Sequence, residues 1–223
     1  MTELIVYSDD HSEDTSVDGY TVEQTEAAWG TIRAAGGDYG NDNGAAFAGI
    51  GFTADANANE WDDWTRAFLL FDATAIPGGS TIDSATLGTT ITSVYDAFTD
   101  SLVMVTSAPA SDTAIVAGDH DSSGTTANSN TRALANLVLN TVGHINNRFT
   151  LNAPGLANIK DNAISKFAII SEYDRDNDEP TYSSGGLSYV VMASADTGLG
   201  SDRRPTLTIQ YTAPPFTPRA MMF

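Results

Sequence analysis

Cysteine is absent from the 223-residue chain. That excludes disulfides, thiolate metal sites and thiol nucleophiles together, so the fold has to be held by packing. Positive charge is scarce as well: ten Lys and Arg, with Lys160 and Lys166 the two lysines, stand against 29 Asp and Glu, for a net charge of −19. A surface this negative repels nucleic-acid phosphates and anionic membranes, and neither is expected as a partner. It suits metal cations, a basic protein partner, or plain solubility. No apolar run approaches the ~18 residues of a membrane-spanning helix. The opening MTELIVYSDDHSEDTS has neither the basic nor the apolar region of a secretory signal, so if the protein ends up outside a cell, assembly or lysis is the expected route. Helical periodicity is nearly missing too. Only TRALANLVLNTVG (131 to 143) spaces its apolar residues that way, and it is equally compatible with a strand.

What the chain does have is β signal. With 41% hydrophobic and 17% charged residues it can fill a core, and its polarity comes mainly from Thr, Ser, Asn, Asp and Gly, a composition suited to many strands and turns. LIVYS (4 to 8), GYTVEQ (19 to 24), WGTIRAA (29 to 35), AFAGIGFTA (46 to 54), RAFLLFD (66 to 72), SATLGTTITSVYD (84 to 96), SLVMVTSA (101 to 108) and TAIVAG (113 to 118) all read as strands. So do RFTLN (148 to 152), ISKFAIISEYD (164 to 174), LSYVVMASA (187 to 195) and PTLTIQYT (205 to 212). Clusters such as GGDYGNDNG and DRDNDEPTYSSGG supply the reversals between them. The expected fold class is all-β, a single antiparallel β-sandwich of jelly-roll type. Residues 1–17 form an N-terminal arm or edge strand, 18–212 the sandwich, and 213–223 an extended C-terminal arm.

In RAFLLFD, Phe68 and Leu70 fall on one face of a strand and Leu69 and Phe71 on the other, which marks a central strand covered on both sides. Pro77 and the Gly78-Gly79 pair then reverse the chain into IDSATL. Phe68, Leu70, Ile82, Leu87, Phe167, Ile169 and Leu207 are the expected core. The stretch RAFLLFDATAIPGGSTIDSATL resembles the signature of the DNRLRE-type β-sandwich domain, an Arg-led strand ending in Phe-Asp, an Ile-Pro turn and a Ser-Ala-x-Leu strand. SEYDRDNDEP and LSYVVMASADTGLGSDRRPTLTIQYT resemble that family's closing strands. The likeness spans roughly residues 18 to 212. It implies a jelly-roll-like sandwich and no particular reaction. Members occur as modules of secreted carbohydrate-active enzymes, as cell-surface pieces and as stand-alone proteins encoded by phages.

Three constellations are candidates for chemistry. Asp174, Asp176 and Asp178 alternate in DRDNDE, an oxygen-rich spacing that would suit calcium. An EF-hand is excluded by Glu179 at the sixth position and Gly185 at the twelfth. A solvated acidic turn is the alternative. Trp61 and Trp64, with Asp62, form a second group, since aromatic rings can stack on sugar faces while carboxylates accept hydroxyl hydrogen bonds. For Trp64 the competing role is a plug at the core edge. His120, between Asp119 and Asp121, reads as a surface-loop histidine unless His11 and His144 converge on it. No nucleophile elbow, phosphate loop or His-Glu-x-x-His occurs.

The expected function is therefore non-enzymatic. One reading is a phage virion protein, such as a capsid decoration, head fibre or tail-associated sandwich, that contacts other virion proteins or copies of itself. The other is a carbohydrate-binding module, extracellular and directed at surface glycans. The tail TAPPFTPRAMMF presents Phe216, Met221, Met222 and Phe223 as an apolar anchor for assembly.

Overall fold

A computed structural model describes residues 1–10, 14–43, 47–140, 146–196, 198 and 200–215. The fold is an all-β sandwich. Its smaller sheet has four strands in the order β1 (Thr2–Tyr7), β14 (Thr206–Thr212), β6 (Thr81–Gly88), β11 (Arg148–Thr150), each antiparallel to its neighbour. The larger sheet follows the path β10 (Arg132–Ala133), β8 (Ser101–Ser107), β12 (Ile164–Ser171), β5 (Trp61–Asp72), β4 (Phe47–Ala54), β13 (Leu187–Ala193), β7 (Ile91–Asp96). Three more strands flank this path: β2 (Asp18–Glu23) on β5, β3 (Tyr39–Asn41) on β2, and β9 (Ser123–Ala127) on β8.

Strand β5 organises the molecule. Ala67 is opposite both Tyr20 of β2 and Ile169 of β12, whereas Thr65 is opposite both Val22 of β2 and Gly51 of β4. One edge of β5 therefore belongs to β2, and β4 and β12 share the other end to end. From Trp64 to Phe71 this long, doubly paired strand is also dry on both faces, as its apolar run predicts. Ala67, Leu69 and Phe71 join the core between the sheets with Leu87, Phe149, Phe167, Leu207 and Ile209. Phe68 and Leu70 fill a second cluster on the opposite side with Val17, Val103, Val105 and Ile115. Six of the seven expected core residues are fully buried; Ile82 packs on the core while partly open.

Several expected strands are something else, for identifiable reasons. WGTIRAA contains a short helix, α1 (Trp29–Arg33), because Trp29 and Ile32 are three residues apart and bury one face together. ISKFAIISEYD stops as a strand at Ser171, whose side chain accepts a hydrogen bond from the Tyr173 amide and opens a helical turn, Glu172–Asp176. That turn closes on Asn177 in the left-handed region, at φ 52°. TAIVAG forms no strand. Asp42 takes the Ile115 amide at 2.7 Å and Asp119 takes the Val116 amide at 2.9 Å, and a 3-10 turn follows from Ala117 to Ser122. SATLGTTITSVYD divides between β6 and β7, which sit in different sheets. The ambiguous 131–143 stretch gives a two-residue strand and the 3-10 turn Leu134–Asn136. Its residues 141–143 lie outside the described part.

Candidate binding groove and buried aromatic cluster

The two tryptophans expected at a sugar site are interior. Trp61 is 0% exposed and Trp64 1%. With Trp29, Phe52 and Phe98 they make a cluster of edge-to-face, tilted and stacked rings whose centroids lie 4.5 to 5.6 Å apart. No ring face is left for stacking, because β5 carries both side chains under α1 and the 172–182 segment. Their polar edges are spent inward: the Trp61 indole N–H donates to Glu179 Oε1 at 2.9 Å and the Trp64 indole to Asp174 Oδ2 at 3.1 Å. The sugar-stacking role expected of this pair is thus corrected to packing.

The alternating aspartates separate in the same way. Asp174 is buried, and its carboxylate receives both Arg66 Nε at 2.7 Å and Arg66 Nη2 at 2.9 Å, a bidentate pair. Arg33 Nε donates to the Asp174 main-chain oxygen at 2.7 Å. Arg66 is completed by the carbonyls of His120 and Arg33 at 2.8 and 2.9 Å. Asp176 is exposed and held by Arg175, which keeps its carboxyl below the usual range. Asp178 is exposed as well, and with Asp176, Glu172 and Tyr173 it lines a shallow pocket of about 220 Å³. The calcium role expected of Asp174, Asp176 and Asp178 fails because these groups do not converge: Asp174 faces a guanidinium inside the protein. Among the described residues the carboxylates that do converge are Glu26, Asp55 and Asp62, with oxygens all within 4.8 Å of one another. Burial and its acidic neighbours raise the Asp62 carboxyl.

His120 is not at the surface. It is fully buried, with Nδ1 2.8 Å from Thr21 Oγ1, and its Nε2 has no hydrogen-bonding partner among the described residues. Desolvation, and then the nearby Arg66 charge, push its pKa down to about 3, so the ring is neutral. His11, His144, Phe216, Met221, Met222 and Phe223 lie outside the described residues.

The open aromatic surface is elsewhere. A groove of about 580 Å³ is lined by Val22, Gln24, Tyr39, Thr53, Asp63, Thr65, Tyr95, Gly185, Leu187 and Tyr189, contributed mainly by six strands. Strand register explains it. Directly paired residues share a face of a sheet, and the pairs Tyr95–Tyr189, Tyr189–Gly51, Gly51–Thr65, Thr65–Val22 and Val22–Tyr39 form one continuous row from β7 to β3. The middle of the row is buried and the ends are open: Tyr39 is 40% exposed and Tyr95 53%. The result is a trough with the Tyr189 ring lying across β4 and Tyr39 and Tyr95 open at its two ends.

Glycine makes the trough possible. A methyl group on Gly49 would overlap the Tyr189 hydroxyl, so the ring can lie over β4 only because no side chain is there. Gly51, at φ 137°, brings β4 against the Ser188 carbonyl, where a Cβ would collide. Tyr39 and Tyr189 are neutral phenols. Burial and the Tyr20 hydroxyl raise Tyr39 to about 12, and burial raises Tyr189. Asp63 supplies the one acidic side chain of the lining, with Gln24 Nε2 donating to it at 2.9 Å. Sequence reasoning missed Tyr39, Tyr95 and Tyr189, which lie far apart along the chain. The available signal was AGIGF, two glycines on one face of a strand, which announces a close approach by something else. In comparisons with known proteins, no family model and no curated sequence matches the chain.

Proposed function

We propose that the chain is a non-enzymatic binding protein whose tyrosine-walled trough holds a saccharide chain. The observation that carries this reading is the cross-strand row from Tyr95 to Tyr39. It combines aromatic area at both ends with hydroxyl, amide and carboxylate groups along its sides, the mixture by which a concave site holds the alternating apolar faces and polar edges of sugar rings. The carbohydrate-binding role implied by the likeness to DNRLRE-type domains is kept, and its location moves from Trp61 and Trp64 to the groove. The experiment is retention on insoluble polysaccharides and on a glycan array, with the Tyr95→Ala/Tyr189→Ala double variant as control. Selective retention of the wild type and loss in the variant is the expected result. A wild type that is retained on nothing, or a variant retained equally well, would reject the reading.

A second reading, assembly in a virion, is favoured by β1. This strand ends the smaller sheet and exposes Ile5 at 48% and Tyr7 at 42% on one face. Apolar side chains on an edge strand invite another chain. Ile5→Lys with Tyr7→Lys should abolish incorporation into particles while leaving the groove competent; unchanged incorporation would remove β1 from any such role.

A further inference from the structure

Resting on the reading of the groove as a saccharide site, we infer that its ligand is an uncharged pyranose chain lying across the strands, long enough to reach from Tyr95 to Tyr39. Charge is the first argument. Among the described residues the lining holds no Lys or Arg, and its charged member is Asp63. The guanidinium next to it in sequence, Arg66, is turned inward and consumed by Asp174 and two carbonyls. Just past Asp63 stand Asp62, Asp55 and Glu26, whose carboxylate oxygens crowd within 4.8 Å. A uronate, sulfate or sialate entering this field meets repulsion with no compensating cation. Neutral hydroxyls meet an acceptor in Asp63, donors and acceptors in the phenols, and an exposed amide in Gln24.

Direction and length follow from the register. Tyr95 and Tyr39 are separated by five inter-strand steps, or about 24 Å at 4.7–4.9 Å per step. A row of this length has room for several consecutive sugar rings. A disaccharide reaches one end only. Tyr95 and Tyr189, directly opposite on adjacent strands, form the larger aromatic end and should hold short ligands. Tyr39 should count only for long ones.

The test is isothermal titration of the full chain with linear gluco-, xylo- and manno-oligosaccharides of two to six rings, beside oligouronates of matched length. Affinity for the neutral series that binds should rise at least tenfold from two to five rings and then level off. The matched uronates should bind at least tenfold more weakly, and Asp63→Asn should narrow that gap. Tyr39→Ala should reduce pentasaccharide affinity to the disaccharide level and leave disaccharide binding unchanged, whereas Tyr95→Ala should weaken both. Circular dichroism and melting of each variant establish that it is folded. Uronates binding as well as the neutral chains, or an affinity independent of length, would overturn this inference and leave the groove as a saccharide site. If none of the saccharides binds, the underlying reading and this inference fall together.

Discussion

Two aromatic clusters share strand β5, and they could hardly differ more in use. At residues 61 and 64 the strand sends tryptophans into a dry cluster, while at residues 63 and 65 it presents Asp63 and Thr65 to an open trough walled by tyrosines. The residue types match the environments. An indole has one N–H to satisfy, which one carboxylate does for each tryptophan of β5, Glu179 for Trp61 and Asp174 for Trp64; a phenol with an open edge offers both a ring and a hydroxyl to a partner. The dry cluster holds the molecule together and the trough is available for recognition. A change in one should therefore act on stability, and a change in the other on binding.

The sharpest way to break that division is Asp174→Ala. It leaves Arg66 buried without its countercharge, and loss of one partner of such a pair costs about 3–5 kcal/mol. Urea denaturation should show the midpoint falling accordingly; a loss below about 1 kcal/mol would mean that the pair is not buried as described. His120 comes next. Its pKa is held near 3, so below the ordinary value of 6.5 the unfolded chain takes up a proton that the native state refuses. The stability contributed by the neutral ring is complete above about pH 7 and is lost as pH falls, by about 2 kcal/mol at pH 5. Asp100, whose carboxyl is raised by burial, pulls the other way. The comparison is therefore between the pH slopes of the wild type and His120→Gln, and parallel slopes would show that His120 titrates normally. The smallest effect belongs to the trough: Tyr95→Ala, at a position 53% exposed, should change stability by no more than about 0.5 kcal/mol. A cooperative loss of fold in that variant would make Tyr95 structural and merge the two regions.

How much of this was legible beforehand depended on how local the cause was. The two-sided apolar run of RAFLLFD identified the central strand without any neighbour in view, since burial on both faces follows from alternation alone. Trp61 and Trp64 looked like a binding pair because their sequence neighbours are aspartates. Yet Asp62 and Asp63 are not the residues the rings touch; the partners are Glu179 and Asp174, more than 100 positions away. DRDNDE looked like a set of cation ligands because its carboxylates alternate. A helical turn capped by Ser171 rotated Asp174 inward, and Arg66 was waiting there.

Local patterning by itself determined the all-β class, the central strand, most of the core and the exclusion of cysteine chemistry. Each follows from composition or from a period of two along a few residues. Only tertiary structure decided which acids face inward, that His120 is buried and neutral, and that Tyr39, Tyr95 and Tyr189 stand around one trough. Those facts depend on the pairing register of strands distant in the chain. A shift of one residue in any pairing would have turned the tyrosines to the other face and left no groove.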